Sequence, residues 1–310
     1  MTKVATLSLD ASTRKWRAMF QGRVVDLQVS KYNLRQKLQR LGYTVQETVE
    51  VSAPVVVANP IDQFGINERF DFLSDFVCMV EDGTSPSLLV TGEGGLGKTF
   101  TVNEALKNAG REMLNLETMP VDEDDEYVID DSRFYTVIKG YSTAKGLYRA
   151  LYENRGRIVV FDDCDTVLRD PVALNLLKGA LDSYDKRIIS WNAEMNEKDE
   201  LPRSFEFRGG VIFISNLPIS KVDQAIRSRA ICIDLSMTTQ QKIDRMETLI
   251  KAPQFLPEYS DTVKRQALSF LEAMQERATE LSLRTLIQVV KVADRGDNWE
   301  RRAEYLLTAI

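Results

Sequence analysis

The chain has no histidine in its 310 residues. That excludes histidine-dependent triads, His-ligated metal sites and imidazole acid–base chemistry together. Cysteine is scarce: Cys78, Cys164 and Cys232 lie far apart, each inside an apolar run. Such an odd, scattered set makes neither a disulfide frame nor a zinc site, and it reads as buried thiols in a reducing compartment. No apolar run approaches the ~20 residues of a membrane-spanning helix. The start, Met1-Thr2-Lys3-Val4, lacks a signal-peptide apolar region, so a cytoplasmic protein without membrane contact is expected. Internal repeats and low-complexity tracts are also missing. What is there is ordinary: 44% hydrophobic and 28% charged residues, enough for two or three domains and a sizeable core.

Charge is unevenly shared. Residues 1–46 hold nine lysines and arginines against Asp10 and Asp26, a balance of +7 in a chain of net −6, which leaves −13 for the rest. A basic module on an acidic body marks either contact with nucleic acid or an acidic partner, or a solvated face that happens to be basic.

Periodicity divides the chain. Val4–Leu9, Trp16–Phe20 and Val24–Val29 read as strands. A helix follows over Tyr32–Leu41, capped by Ser30 with Leu34, Leu38 and Leu41 on one face, and Thr44–Val51 reads as a further strand. This gives a small basic α+β module over residues 1–53 and a linker over 54–66. From Asn67 strands alternate with helices. Helices are predicted at Asn67–Val80, Phe100–Ala109, Thr143–Glu153 and Pro171–Tyr184. Strands are predicted at Ser87–Thr91, Phe134–Lys139, Ile158–Phe161, Val211–Ser215 and Ile231–Leu235. Alternation of this kind implies a parallel sheet, here an α/β domain over 67–235. Arg187–Trp191 and Ser204–Phe207 read as a hairpin that either contacts DNA through Trp191, Arg187 and Lys186 or is an ordinary surface insertion. Glu117–Asp131 reads as an exposed acidic loop, with a metal site as the lesser alternative. Residues 236–310 carry four apolar helical faces and form an all-helical domain.

Gly92-Glu93-Gly94-Gly95-Leu96-Gly97-Lys98-Thr99 fits the phosphate-loop pattern G-x-x-x-x-G-K-[ST] without a mismatch. It follows a buried strand and opens a helix, the context that pattern needs. Its glycines let backbone N–H groups, including that of Phe100, curl around a polyphosphate at a helix N-terminus. Lys98 would reach the β/γ-phosphates and Thr99 would ligate magnesium. A nucleoside triphosphate, ATP, with Mg2+ is the expected ligand. Downstream, Ile158-Val159-Val160-Phe161 ends in Asp162 and Asp163, and ligands in open parallel sheets sit beyond the carboxyl ends of the strands. Asp162 would hold the metal, and Asp163 would orient or deprotonate the attacking water.

At these residues the chain resembles the AAA+ ATPases, over approximately Asp62–Ile310. Val160-Phe161-Asp162-Asp163-Cys164-Asp165 is similar to the family's Walker B segment, with Asp163 in place of the usual glutamate, a departure that bears on rate. Asn216, ending Val211–Ser215, resembles the sensor 1 residue that helps position water. Gln224-Ala225-Ile226-Arg227-Ser228-Arg229-Ala230 resembles the segment supplying an arginine finger from a neighbouring subunit, with Arg229 preferred to Arg227. Arg284, two residues after the helix cap Ser282, matches the sensor 2 arginine of the helical lid. The resemblance implies a three-layer αβα core with a lid. It also implies a homo-oligomeric ring, hexameric by family norm, with ATP turnover driving motion. A compact ATPase with Asp-Asp and a private N-terminal module is similar to those carried by phages or plasmids. The loop from Lys139 to Gly146 is the expected pore loop, with Lys139 and Lys145 suited to a phosphate backbone. Three functions follow: remodelling or movement along DNA or a DNA-bound assembly, remodelling of a protein client, or an ATP-controlled assembly switch with slow turnover.

Overall fold

A computed structural model describes residues 3–10, 15–20, 23–28, 31–41, 43–47, 63–114, 133–140, 143–182, 184–192 and 201–309. The expected linker as far as residue 62 and the acidic segment Glu117–Asp131 fall outside these, as does the cap Ser30. The chain separates into two compact units, Met1–Asn59 and Pro60–Ile310.

Among the described residues, the first unit is a four-stranded sheet with one helix. It comprises β1 (Lys3–Asp10), β2 (Lys15–Phe20), β3 (Arg23–Gln28), α1 (Lys31–Arg40) and β4 (Tyr43–Glu47). The order is β3-β2-β1-β4. The first three strands form an antiparallel meander, and β4 returns parallel to β1. Leu34 and Leu38, one helical turn apart, bury fully with Ala5 and Ala18, and Tyr43 and Val45 pack on them. Leu41, expected on that face, lies just past the helix end and is 56% exposed.

The second unit is built on six parallel strands, in the order β12-β5-β11-β8-β7-β6. In chain order its elements begin with α2 (Ile66–Glu81), β5 (Ser87–Thr91), α3 (Lys98–Asn108), β6 (Glu112–Met113) and β7 (Phe134–Lys139). Next come α4 (Ala144–Glu153), β8 (Ile158–Asp162), α5 (Pro171–Ala180), β9 (Arg187–Ser190), β10 (Ser204–Phe207) and β11 (Val211–Ile214). A short α6 (Gln224–Arg227) leads into β12 (Ile231–Asp234). Every residue of β5, β8 and β11 is buried, as expected of parallel strands covered on both faces.

Successive residues of these strands feed opposite cores, because side chains alternate across a sheet. Leu89, Phe161 and Phe213 pack with α4 and α5 residues such as Leu147, Tyr148 and Leu177. Leu88, Val90, Val160 and Ile212 pack with α2 and α3 residues such as Phe70, Leu73, Val102 and Leu106. The result is an α/β structure with a parallel sheet flanked by helices, compatible with a phosphate-loop type of three-layer fold. β9 and β10 form an antiparallel hairpin.

Four further helices follow: α7 (Thr239–Ile250), α8 (Asp261–Ala273), α9 (Leu283–Ala293) and α10 (Trp299–Thr308). They share a core that includes Met246, Leu271, Leu286, Val290 and Leu307. Among the described residues no helix is long and apolar enough to cross a membrane.

Candidate functional site

β5 delivers the glycine-rich turn to the carboxyl edge of the sheet, between β12 and β11. Two glycines there sit where any side chain would be strained. Gly92 has φ +134°, and a Cβ on it would stand 2.9 Å from the carbonyl carbon of Leu235. Gly95 has φ +72°, and its Cβ would stand 3.2 Å from that of Ser282. That close approach lets the helical segment touch the turn directly: the Leu283 N–H donates to the Gly95 carbonyl at 2.9 Å. Ser282 is the cap of α9, its hydroxyl accepting from the Thr285 N–H while Thr285 Oγ1 accepts from the Ser282 N–H.

A cavity of about 250 Å³ opens at this edge. It is lined by the turn from Gly94 to Phe100, by Asp162, Asp163 and Asn216, and by Arg284 with its neighbours on α9. Segments far apart in sequence thus meet at one place. α3 begins on its wall, at Lys98, and its cap position Gly97 offers no side-chain acceptor. The first N–H groups of that helix are therefore available to an anion.

Lys98 is buried, and its ammonium donates to the carbonyls of Gly92 (2.6 Å) and Glu93 (2.7 Å) and to Asn216 Oδ1 (2.9 Å). Burial pulls its pKa down to about 8, with the Arg284 guanidinium acting in the same direction and Asp163, Asp162 and Asp165 opposing. Thr99 Oγ1 donates to Asp162 Oδ1 at 2.8 Å, joining the end of the turn to the end of β8. These hard oxygen donors, one hydroxyl and one carboxylate, suit magnesium, which keeps several waters and takes phosphate oxygens for the rest. Among the described residues no cluster of three or more acids and cysteines could hold a metal on its own.

Asp163 sits beside them in the left-handed region, φ +57°, where aspartate is tolerated better than bulkier residues. Its carboxylate accepts from Asn216 Nδ2 at 2.5 Å. Asn216 thereby bridges Lys98 and Asp163. Asp165, whose role sequence reasoning did not identify, holds that bridge in place. Its carboxylate accepts from Ser215 Oγ at 2.6 Å and from the Asn216 N–H at 3.3 Å.

Glu93 turns away, its carboxylate paired with Lys242 of α7. Lys242 was also missed, since nothing in the local pattern links α7 to the turn. Lys139, expected on a substrate-facing loop, is at 3.2 Å from Asp162 Oδ2. Tyr141 and Ser142 of that loop lie outside the described residues.

Arg227 and Arg229 are not in the cavity. They precede β12 at the opposite edge of the sheet, where the Ser87 hydroxyl donates to the Arg229 carbonyl. Arg227 is exposed with its Nε donating to the Val222 carbonyl. Arg229 donates to the Ala225 carbonyl at 2.9 Å and stands 3.7 Å from Asp182.

One expectation is corrected. Cys78 is exposed on α2, on the outer side of the helix between Val77 and Met79. Cys164 is buried as expected, and burial pushes its thiol up to about 11 against the lowering effect of its hydrogen bond to the Asp162 carbonyl, with the neighbouring acids adding to the rise. Of the hairpin side chains considered for DNA, Lys186 is exposed, whereas Arg187 and Trp191 are engaged within the protein. Arg187 donates to the carbonyls of Ala180 and Gly209 and covers the Phe207 ring, while Trp191 packs against Tyr148.

Fold and cavity together define an α/β chain that closes a glycine-rich turn, paired carboxylates and a helical segment around one cavity. No family model matches the chain. Over 256 residues it is 30% identical to an uncharacterized 36.7 kDa protein in the nrdC-mobD intergenic region of Enterobacteria phage T4, covering 77% of this chain and 73% of that protein. The chain belongs to the family of that phage protein.

Proposed function

We propose that this chain is an ATPase of the AAA+ type that binds and hydrolyses ATP with Mg2+ in an oligomeric ring, coupled to DNA or a DNA-bound assembly. What supports turnover is the convergence of Lys98, Thr99, Asp162, Asp163, Asn216 and Arg284 on one cavity at the carboxyl edge of a parallel sheet. In this reading α7–α10 are the lid, and the basic first unit is the nucleic-acid anchor.

The chemistry follows from the contacts. The N–H groups opening α3 and the Lys98 ammonium take the phosphates, Lys98 exchanging its carbonyl acceptors for phosphate oxygens. Thr99 and Asp162 would hold magnesium, which would supply neutralisation of charge at the transferring phosphoryl group. Asp163, released from Asn216, orients and deprotonates the attacking water, and Asn216 holds that water in line. Arg284 reaches the γ-phosphate from α9, so nucleotide and helical segment move together. Arg229, with Arg227 beside it, lies at the far edge of its own sheet and therefore serves a neighbouring copy.

A second reading has its own observation. Asp163 is one methylene shorter than the glutamate of the resembled family and is held by Asn216 in a left-handed backbone. An ATP-controlled assembly switch with slow turnover fits that restraint. The two are separated by ATPase rate and oligomer mass, with and without single- and double-stranded DNA. Stimulation by DNA supports the motor. ATP-dependent assembly with negligible phosphate release supports the switch, and stimulation by a protein alone points to a protein client acting through the first unit.

A further inference from the structure

Asp162 carries a cation that the phosphate-loop pattern does not account for. β7 and β8 pair in parallel with Lys139 directly opposite Asp162. Partners in register on neighbouring strands project to the same face, so the sheet itself sets this lysine beside this carboxylate. Asp162 is 4% exposed, and both its oxygens are engaged, Oδ1 by the Thr99 hydroxyl and Oδ2 by the Lys139 ammonium. Lys98 is the buried cation of the same cavity, but its three hydrogen bonds go to Gly92, Glu93 and Asn216. Among the described residues Lys139 is the one side chain ion-paired with Asp162. A buried carboxylate of this kind needs a partner of opposite charge.

We infer that Lys139 is the resident counter-cation of Asp162, competing with the divalent cation for it and so setting how much magnesium the site requires. This rests on the reading of Asp162 as a metal ligand. Two cations on one carboxylate repel each other, and a small divalent ion of high charge density wins when phosphate oxygens complete its shell. Leaving is easy for Lys139, whose side chain is 65% exposed and can swing into water. Its backbone stays fixed in β7, so the ammonium remains at high local concentration and returns once the metal goes. The lysine thus acts as a threshold: too little magnesium, and Asp162 stays paired.

The test uses the full chain as wild type, Lys139→Met and Lys139→Arg. Magnesium is titrated against a fixed concentration of a fluorescent ATP analogue, and thermal unfolding is followed with Mg2+ alone. The half-saturating Mg2+ concentration should fall roughly two- to fivefold in Lys139→Met, the scale set by one partly solvated ion pair. It should rise in Lys139→Arg, whose fork holds a carboxylate more firmly. Mg2+ alone should raise the Tm of Lys139→Met more than that of wild type. An unchanged or increased magnesium requirement in Lys139→Met would overturn the inference while leaving nucleotide binding intact. If wild type binds no analogue at any Mg2+ concentration, the site reading itself fails. The Tm arm then decides the lysine alone, equal shifts in both chains counting against it.

Discussion

Lys98 is the residue on which charge and burial conflict most sharply. Its pKa of about 8 lies below the ordinary 10.5, so between those values the unfolded chain holds a proton that the native chain has released. Stability from this group therefore rises with pH across about 8 to 10.5 and is flat below, where both states are protonated. Urea midpoints of wild type measured against Lys98→Met should show the wild type gaining over that window; a constant difference would mean the ammonium is not buried as described. Phosphate binding favours the charged form, so nucleotide affinity should decline as pH rises above about 8, which titrations at pH 7.5 and 9.5 would reveal. Asp163 makes a different prediction, because its carboxylate is hydrogen-bonded to Asn216 and the phosphates fall to Lys98 and the N–H groups opening α3. Asp163→Asn should bind nucleotide with near-normal affinity and lose roughly 10²- to 10⁴-fold in turnover, the usual worth of a positioned base. Abolished binding with retained turnover would reverse that assignment.

At the scale of elements, the decisive joint is the cap of α9 against the glycine-rich turn. Ser282→Ala removes the acceptor for the Thr285 N–H and should cost about 1 kcal/mol of stability. It should also weaken nucleotide binding, because Leu283 and Arg284 lose their fixed entry to the cavity. A drop in stability with unchanged affinity would leave the cap purely structural. Strands β5, β8 and β11 were legible in the sequence because burial on both faces leaves unbroken apolar runs. α3 was predicted to start at Phe100 but starts at Lys98, since the motif's polar residues carry no apolar period. α5 was expected to reach Tyr184 and ends at Ala180; Tyr184 is 75% exposed. The two-residue β6 is too short to leave a pattern. Of the cavity, the phosphate-loop residues and the paired acids could be found from local pattern, and Asn216 and Arg284 only through the family resemblance. Asp165, Lys242 and Lys139 could not, because each acts through a partner brought near only by strand register or helix packing.

For the whole molecule, the position of Arg229 across the sheet from its own cavity carries a testable consequence. Lys98→Ala and Arg229→Ala chains should each be inactive alone, yet regain part of the ATPase rate when mixed, if sites are completed between copies. No recovery on mixing, with both variants still assembling, would remove Arg229 from the role. The basic first unit makes a separate prediction for DNA. Binding should weaken steeply with salt, and deleting residues 1–59 should flatten the slope of log affinity against log salt, by roughly one unit for every phosphate that the shortened chain no longer neutralises. An unchanged slope would turn attention to a protein client. Most direct for the central claim is calorimetric titration of MgATP into wild type and Lys98→Ala at pH 7.5. One magnesium-dependent site per chain in wild type, weakened roughly hundredfold or more in the variant as its buried cation is removed, is the predicted result. Equal affinity in the two chains, or no binding to either, would contradict it.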